Sequence, residues 1–199
     1  MNFLKKLLGK KPTVYVVSGL PRSGTSMMMK MLEAGGFETL TDGIREANVD
    51  NPKGYYEFER VKKLPEGDTA WLDDAAGKGV KIISALLLHL PTGYRYRVLF
   101  MRRKMPEILA SQKKMLVRRG AAPDKISDTE MAAHFTAHLK QVYEWLDGQR
   151  HVAYLDVDYN ALLVAPEPEL HKVAAFLDCP LDIERMATVV DPALYRQRQ

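Results

Sequence analysis

The chain has 199 residues, 46% of them hydrophobic and 27% charged, the size and balance of one domain with a substantial buried core. Its 29 basic and 25 acidic residues leave a net charge of +4. That mild bias suits a small anionic ligand and, without a stripe of arginines interleaved with aromatics, argues against a nucleic-acid surface; the single cysteine, Cys179, excludes a disulfide within the chain and fits a reducing, cytoplasmic compartment.

Residues 1–12, MNFLKKLLGKKP, set Phe3, Leu4, Leu7 and Leu8 against Lys5, Lys6, Lys10 and Lys11. This basic leader reads as a packed or frayed terminus, with contact to an anionic membrane surface through residues 1–11 as the weaker alternative. It lacks the apolar core and cleavage site of a signal peptide, and no stretch of the sequence approaches a membrane span in length. Residues 13–199 form one domain. Residues 13–18 (TVYVVS) are a buried strand ended by Gly19, and residues 23–34 are the helix that follows, stopped by Gly35 and Gly36. A short strand is expected at 37–40. Residues 41–79 carry NPKG and PEG turn signals and form an irregular excursion, whose Tyr55, Tyr56, Phe58 and Trp71 either shape an acceptor pocket or serve as core. VKIIS (80–84) and RVLFM (97–101) are strands. Residues 106–118 form a helix with Ile108, Leu109, Met115 and Leu116 on its apolar side. Residues 129–146 form a long helix whose start is marked by Asp128, residues 152–157 the last strand, and helices follow at 170–177 and 182–190. This strand–helix alternation predicts an α/β three-layer sandwich: a mainly parallel sheet with right-handed crossovers and helices on both faces. Ligands in such sheets bind beyond the carboxyl ends of the strands, which brings residues 19–26, Ser84 and residues 102–104 to one rim.

The segment VSGLPRSGTSMMMKML (17–32) has the form of a phosphate-binding loop feeding a helix. A nucleoside-triphosphate loop reads G-x-x-x-x-G-K-[ST]. Gly19 and Gly24 hold the glycine positions and Ser26 the hydroxyl position, but Thr25 stands where the lysine belongs and Arg22 is the only cation within the loop. Backbone amides of such a turn, with the helix N-terminus behind them, form an anion-binding nest. Lysine and Mg²⁺ serve the concentrated charge of β- and γ-phosphates; a transferred group of lower charge can dispense with both.

The residues Pro21, Arg22, Ser23, Gly24, Thr25 and Ser26 match the PxSGT[ST] loop of another family, and Arg103 at a strand end with Ser111 eight positions on matches its second motif. The chain resembles the sulfotransferases that use 3′-phosphoadenosine 5′-phosphosulfate, over roughly residues 14–181. The resemblance implies a P-loop-NTPase-like fold and metal-independent transfer of a sulfuryl group to a hydroxyl or amine, leaving adenosine 3′,5′-bisphosphate. It implies that residues 21–26 hold the phosphosulfate, with Arg22 at the bridging oxygen where charge grows. Arg103 and Ser111 would grip the 3′-phosphate, and Tyr159 would lie near the adenine, a buried aromatic being an equal account of it. Glu107 stands where the family often has an acid. The chain departs from the family at Met27, where cytosolic members carry an aromatic, and at Asn160 and Ala161, which replace an acidic pair. The C-terminal R-K-G-x-x-G motif is missing, although Tyr195, Arg196 and Arg198 close the chain. The loop is closer to tyrosylprotein and bacterial members than to cytosolic ones.

Transfer to an alcohol needs a group that takes its proton. Cytosolic members use the histidine of a K-T-H stretch; VKIISALLLHLP offers Lys81 and Ser84 there, with His89 displaced down the chain and read as a helix or packing residue. Other members use a glutamate, for which Glu57 in DNPKGYYEFE and Glu46 in DGIREANVD are the candidates, Glu57 favoured. His134, His138 and His171 read as surface or interface residues; His134 and His138 have metal-ligand spacing but no third ligand, so no metal is expected. The alternatives are a divergent P-loop kinase or NTPase, disfavoured by Thr25 and by RVLFM lacking a terminal aspartate for Mg²⁺, and a non-catalytic nucleotide-binding interaction protein.

Overall fold

The β-branched run after Pro12 builds β1 (Thr13–Gly19), which alternates Val14 and Val16 toward one face of the sheet with Tyr15 and Val17 toward the other. The computed structural model describes residues 11–43, 56–118, 120 and 126–191; residues 1–10, Glu46, Tyr55, Tyr195, Arg196 and Arg198 lie outside the described residues. The chain continues through α1 (Thr25–Ala34), β2 (Thr39–Leu40), β3 (Gly79–Lys81), β4 (Arg95–Arg102), α2 (Met105–Arg118), α3 (Asp128–Gly148), β5 (Val152–Asp158), α4 (Tyr159–Val164), α5 (Pro166–Leu177) and α6 (Ile183–Ala187). The strands form one five-stranded sheet of order β2–β3–β1–β4–β5, parallel at every pairing. With β1 in the centre, its carboxyl end is flanked by those of β3 and β4, the place where the strand order reverses and ligands enter such sheets.

Helices cover both faces. On one, Val14, Val16, Ile82, Val98 and Phe100 pack against Val142 and Leu146 of α3 and against Trp71 and Leu72. On the other, Val17, Leu99, Met101 and Val157 meet Met28, Met29 and Met31 of α1, Leu170 and Val173 of α5, and Met186 of α6. The methionine run is therefore helix core, where unbranched side chains fill irregular space.

Several boundaries differ from expectation for local physical reasons. β3 stops at Lys81, three residues before the expected end, because the chain turns over the sheet rim into a 3-10 helix, Ser84–His89, that buries Ser84 and Leu87. The cap of α3 is Ser127, not Asp128: its hydroxyl accepts from the Glu130 amide, and the Glu130 carboxylate accepts from the Ser127 amide at 2.9 Å, a reciprocal box that satisfies two orphan donors. α5 starts at Pro166, where a missing N–H costs nothing. Within the excursion, Glu59–Glu66 and Ala70–Leu72 are 3-10 helices. Trp71 is fully buried, edge-on to Phe58 at 5.5 Å, with its indole N–H donated to the Asp68 carbonyl, so it serves as core. Tyr56 donates its hydroxyl to Glu33 of α1 at 2.5 Å, pinning the middle of the excursion to the helix behind the loop; burial, then the Glu33 carboxylate, pushes the phenol well above its ordinary range.

Candidate active site at the carboxyl ends of β1, β3 and β4

At the end of β1, Gly19 passes so close to β4 that a Cβ there would lie 2.8 Å from the Met101 carbonyl. The loop then holds Arg22 at φ 71° and Gly24 at φ 102° before α1 begins at Thr25. Gly24 occupies the cap position with no side-chain hydrogen bond to the helix, and the first turn of α1 carries no acid. With no capping side chain and no acid at that turn, nothing from Gly24 or an acidic residue competes with an anion there, and the helix dipole favours one. Ser23 is fully buried and its Oγ has no partner among the described residues, nor has that of Ser18. The orphaned Ser23 hydroxyl, inside an uncapped turn, suits a phosphate or sulfate oxygen.

Two polar clusters flank the loop. On the β4 side, Arg22 Nε donates to Ser111 Oγ at 2.9 Å, and Arg103 Nη1 donates to the Arg22 carbonyl at 3.0 Å. Arg103 also donates its Nε to Glu107 at 2.9 Å and stacks over the Tyr159 ring at 4.5 Å. The Tyr159 ring is buried against Gly24, where a methyl group would run into it. On the β3 side, Lys81 Nζ donates to Ser26 Oγ at 3.4 Å and lies 3.9 Å from the Glu57 carboxylate, which is also 3.9 Å from Lys62. The Lys81 side chain is 8% exposed and that of Glu57 18%, so the pair sits at the mouth of the crevice, near but not sealed from water. Glu57 is set there by its own backbone: its carbonyl accepts from the Thr41 hydroxyl and the Asp42 amide just beyond β2.

The structure thus brings Arg22, Ser23, Gly24, Thr25, Ser26, Lys81, Glu57, Arg103, Ser111 and Tyr159 to one rim, with Pro21 exposed at its edge. Arg103 and Ser111 are not paired with each other; each engages Arg22, one through its carbonyl and one through its Nε. His89, expected to be a helix or packing residue, is the former: it ends the 3-10 helix and is exposed. His138, expected at the surface, is half-buried and bonds the buried Ser84 hydroxyl at 2.8 Å, tying the turn after β3 to α3; burial lowers its pKa. Asn160 donates to Glu107 at 2.8 Å. Neither partnership is visible from sequence spacing, though an amide at 160 in place of an acid is the one signal that a carboxylate lies beside it. Among the described residues no group of three or more His, Cys, Asp or Glu gathers as a metal site, and no helix is long and apolar enough to cross a membrane.

No family model and no curated protein matches the sequence. Solved structures do. The sulfotransferase domain of the Synechococcus PCC 7002 olefin synthase is similar with a TM-score of 0.55 and 17% identity, over 96% of this chain and 90% of that one. The fold is that of the sulfotransferases. Sulfotransferase STF1 of Mycobacterium tuberculosis H37Rv aligns at a TM-score of 0.58 and 14% identity over 94% of this chain and 73% of its own. Mouse sulfotransferase SULT7A1, solved in complex with PAP, aligns at 0.53 and 16% over 94% and 67%. The sulfotransferase fold accounts for the parallel sheet and for the loop at its centre; at these identities it speaks to architecture, and the chemistry rests on the residues.

Proposed function

We propose that the protein is a sulfotransferase that moves a sulfuryl group from 3′-phosphoadenosine 5′-phosphosulfate to a hydroxyl or amine, without a metal. The observation that carries this reading is the line Glu57–Lys81–Ser26, a carboxylate and an ammonium converging on the hydroxyl of a loop that lacks its own lysine. The ammonium missing from the loop is supplied from β3. In this reading the amides at residues 24–26 and the Ser23 hydroxyl hold the phosphosulfate, the Ser23 amide being given to the Leu20 carbonyl, and Arg22 and Lys81 stabilise the charge that gathers as the sulfur–oxygen bond to the phosphate breaks. Glu57 takes the acceptor's proton as the new oxygen–sulfur bond forms. Ser111 and the remaining Nη2 of Arg103 serve the 3′-phosphate, and Tyr159 acts as the wall behind the loop.

A kinase or NTPase is the poorer reading because β4 ends in Met101 and Arg102, with no carboxylate there for Mg²⁺. Calorimetry separates the readings: adenosine 3′,5′-bisphosphate binds without Mg²⁺ under this proposal, whereas ATP binding that requires Mg²⁺ refutes it. Sulfation of a panel of phenols, alcohols and amines from labelled donor then identifies the acceptor; nucleotide binding with no product from any of them leaves the non-catalytic alternative in place of transfer.

A further inference from the structure

Arg22 occupies the left-handed region at φ 71°, a conformation that a non-glycine residue keeps only when its surroundings enforce it. The enforcing contacts run through a chain of polar atoms buried at Glu107 and reaching the surface at Lys104. The Arg22 carbonyl accepts from Arg103 Nη1 at 3.0 Å. Arg103 is held by Glu107 Oε2 at 2.9 Å, and Glu107, fully buried, accepts at its other oxygen from Asn160 Nδ2 at 2.8 Å. Asn160 Oδ1 accepts in turn from the Lys104 amide at 3.3 Å. Each bond has a fixed sense: the amide of Asn160 must donate and both carboxylate oxygens of Glu107 must accept. The chain joins the start of α4 to the phosphate loop across the end of β4.

We propose that Glu107 and Asn160 are positioning residues, which act through Arg103 to hold Arg22 and the loop amides in their anion-binding posture. The consequence for nucleotide affinity rests on the reading given above, whereas the posture itself is measurable without nucleotide. Glu107→Gln turns an amide donor toward Arg103 or toward Asn160, and Asn160→Asp sets two carboxylates face to face. The double variant, Glu107→Gln with Asn160→Asp, restores these three hydrogen bonds, with donor and acceptor exchanged between positions 107 and 160. The amide introduced at position 107 accepts from Arg103 and donates to the carboxylate introduced at position 160. That carboxylate still accepts from the Lys104 amide, and the net charge is that of the parent.

Hydrogen exchange on the ligand-free protein reads the loop. Each single variant is expected to speed exchange of the two amides whose bonds close the loop, Ser23 onto the Leu20 carbonyl at 3.2 Å and Met28 onto the Gly24 carbonyl at 3.1 Å, by about tenfold or more, the effect of one misdirected buried hydrogen bond on a local opening. The double variant should return to within about threefold of the parent. Exchange in β4 serves as the control. A rise of equal size in β4 and the loop, parental rates in both singles, or a double no better than the singles overturns the proposal. If the singles do not fold, Asn160→Ala, which removes the donor without opposing Glu107, must loosen the loop selectively and the double must fold; failure of either refutes it. Calorimetry with adenosine 3′,5′-bisphosphate adds the functional arm, with about tenfold weaker binding in the singles and recovery in the double. A parent that binds no bisphosphate while the exchange pattern holds sinks the sulfotransferase reading and leaves the positioning role standing.

Discussion

The two flanks of the phosphate loop are built to opposite standards. On the β4 side, Arg103, Glu107, Asn160, Ser111 and the Arg22 carbonyl are joined by hydrogen bonds of 2.8–3.0 Å, with the Arg103 side chain 8% exposed and that of Glu107 fully buried. On the β3 side, Glu57 stands 3.9 Å from both Lys81 and Lys62, beyond hydrogen-bond distance from either ammonium and partly open to water. A buried ion pair is tolerated only when its remaining valences are met, which is what Asn160 and Tyr159 provide. The first arrangement fixes geometry before a ligand arrives; the second puts a carboxylate at the mouth of the crevice, where the proposed function needs its base.

The largest effect that tests this contrast lies on the loose side. Glu57→Gln should lower turnover by about 10²- to 10⁴-fold, the usual contribution of a positioned base, with bisphosphate affinity unchanged. Because its ion pairs are long and partly exposed, thermal stability should move by no more than about 0.5 kcal/mol. Steady-state sulfation assays beside calorimetry check the split. Activity that survives passes the role to Glu46 or His89; a large loss of stability would show the β3 side to be as structural as its counterpart.

The tight side should answer in the opposite currency. Gly24→Ala places a Cβ at φ 102° and against the buried Tyr159 ring, so the backbone strain alone costs about 1–3 kcal/mol. Displacement of Tyr159, and of the Arg103 stacked on it, should weaken bisphosphate binding together with stability. Denaturant unfolding and calorimetry on the same variant test this. Stability lost with affinity intact would mean that the loop does not hold the nucleotide.

Sequence made the tight side legible only in part. The loop and the β4 end announce themselves because glycines at turns, hydroxyls at a helix start and an arginine closing an apolar strand are local patterns. The strands and the longer helices are legible for the same reason, down to one or two turns at their ends, whereas α4 (Tyr159–Val164) is not. What the residues bond to is not local. Ser111 pairs with Arg22 from 89 positions away and Glu107 with Asn160 from 53, so the spacing that puts Arg103 and Ser111 together hides that each of them grips Arg22 instead. On the loose side, Glu57 is legible from its neighbours in the turn, whereas its partner Lys81 comes from a strand across the crevice.

His138 supplies the smallest effect and a third kind of site, where the turn after β3 is anchored rather than reactive. Its ring is half-buried on Ser84, and burial holds its pKa below the ordinary 6.5. The unfolded chain therefore takes up the proton more readily than the folded one. The contribution is fully present above pH 6.5 and declines as pH falls from there toward the lowered folded value. One proton limits the slope to about 1.4 kcal/mol per pH unit, and partial solvent exposure keeps the effect well under that ceiling. His138→Gln retains a hydrogen bond to Ser84 but does not titrate, so its melting temperature should fall less than the parent's between pH 7.5 and 5.5, as melting curves at the two pH values would show. His151, whose pKa burial also lowers, titrates in parent and variant alike and cancels in the difference. Equal falls in both proteins would mean that the Ser84–His138 contact opens before the chain unfolds, which would move the turn after β3 from the anchored part of the rim to the mobile one.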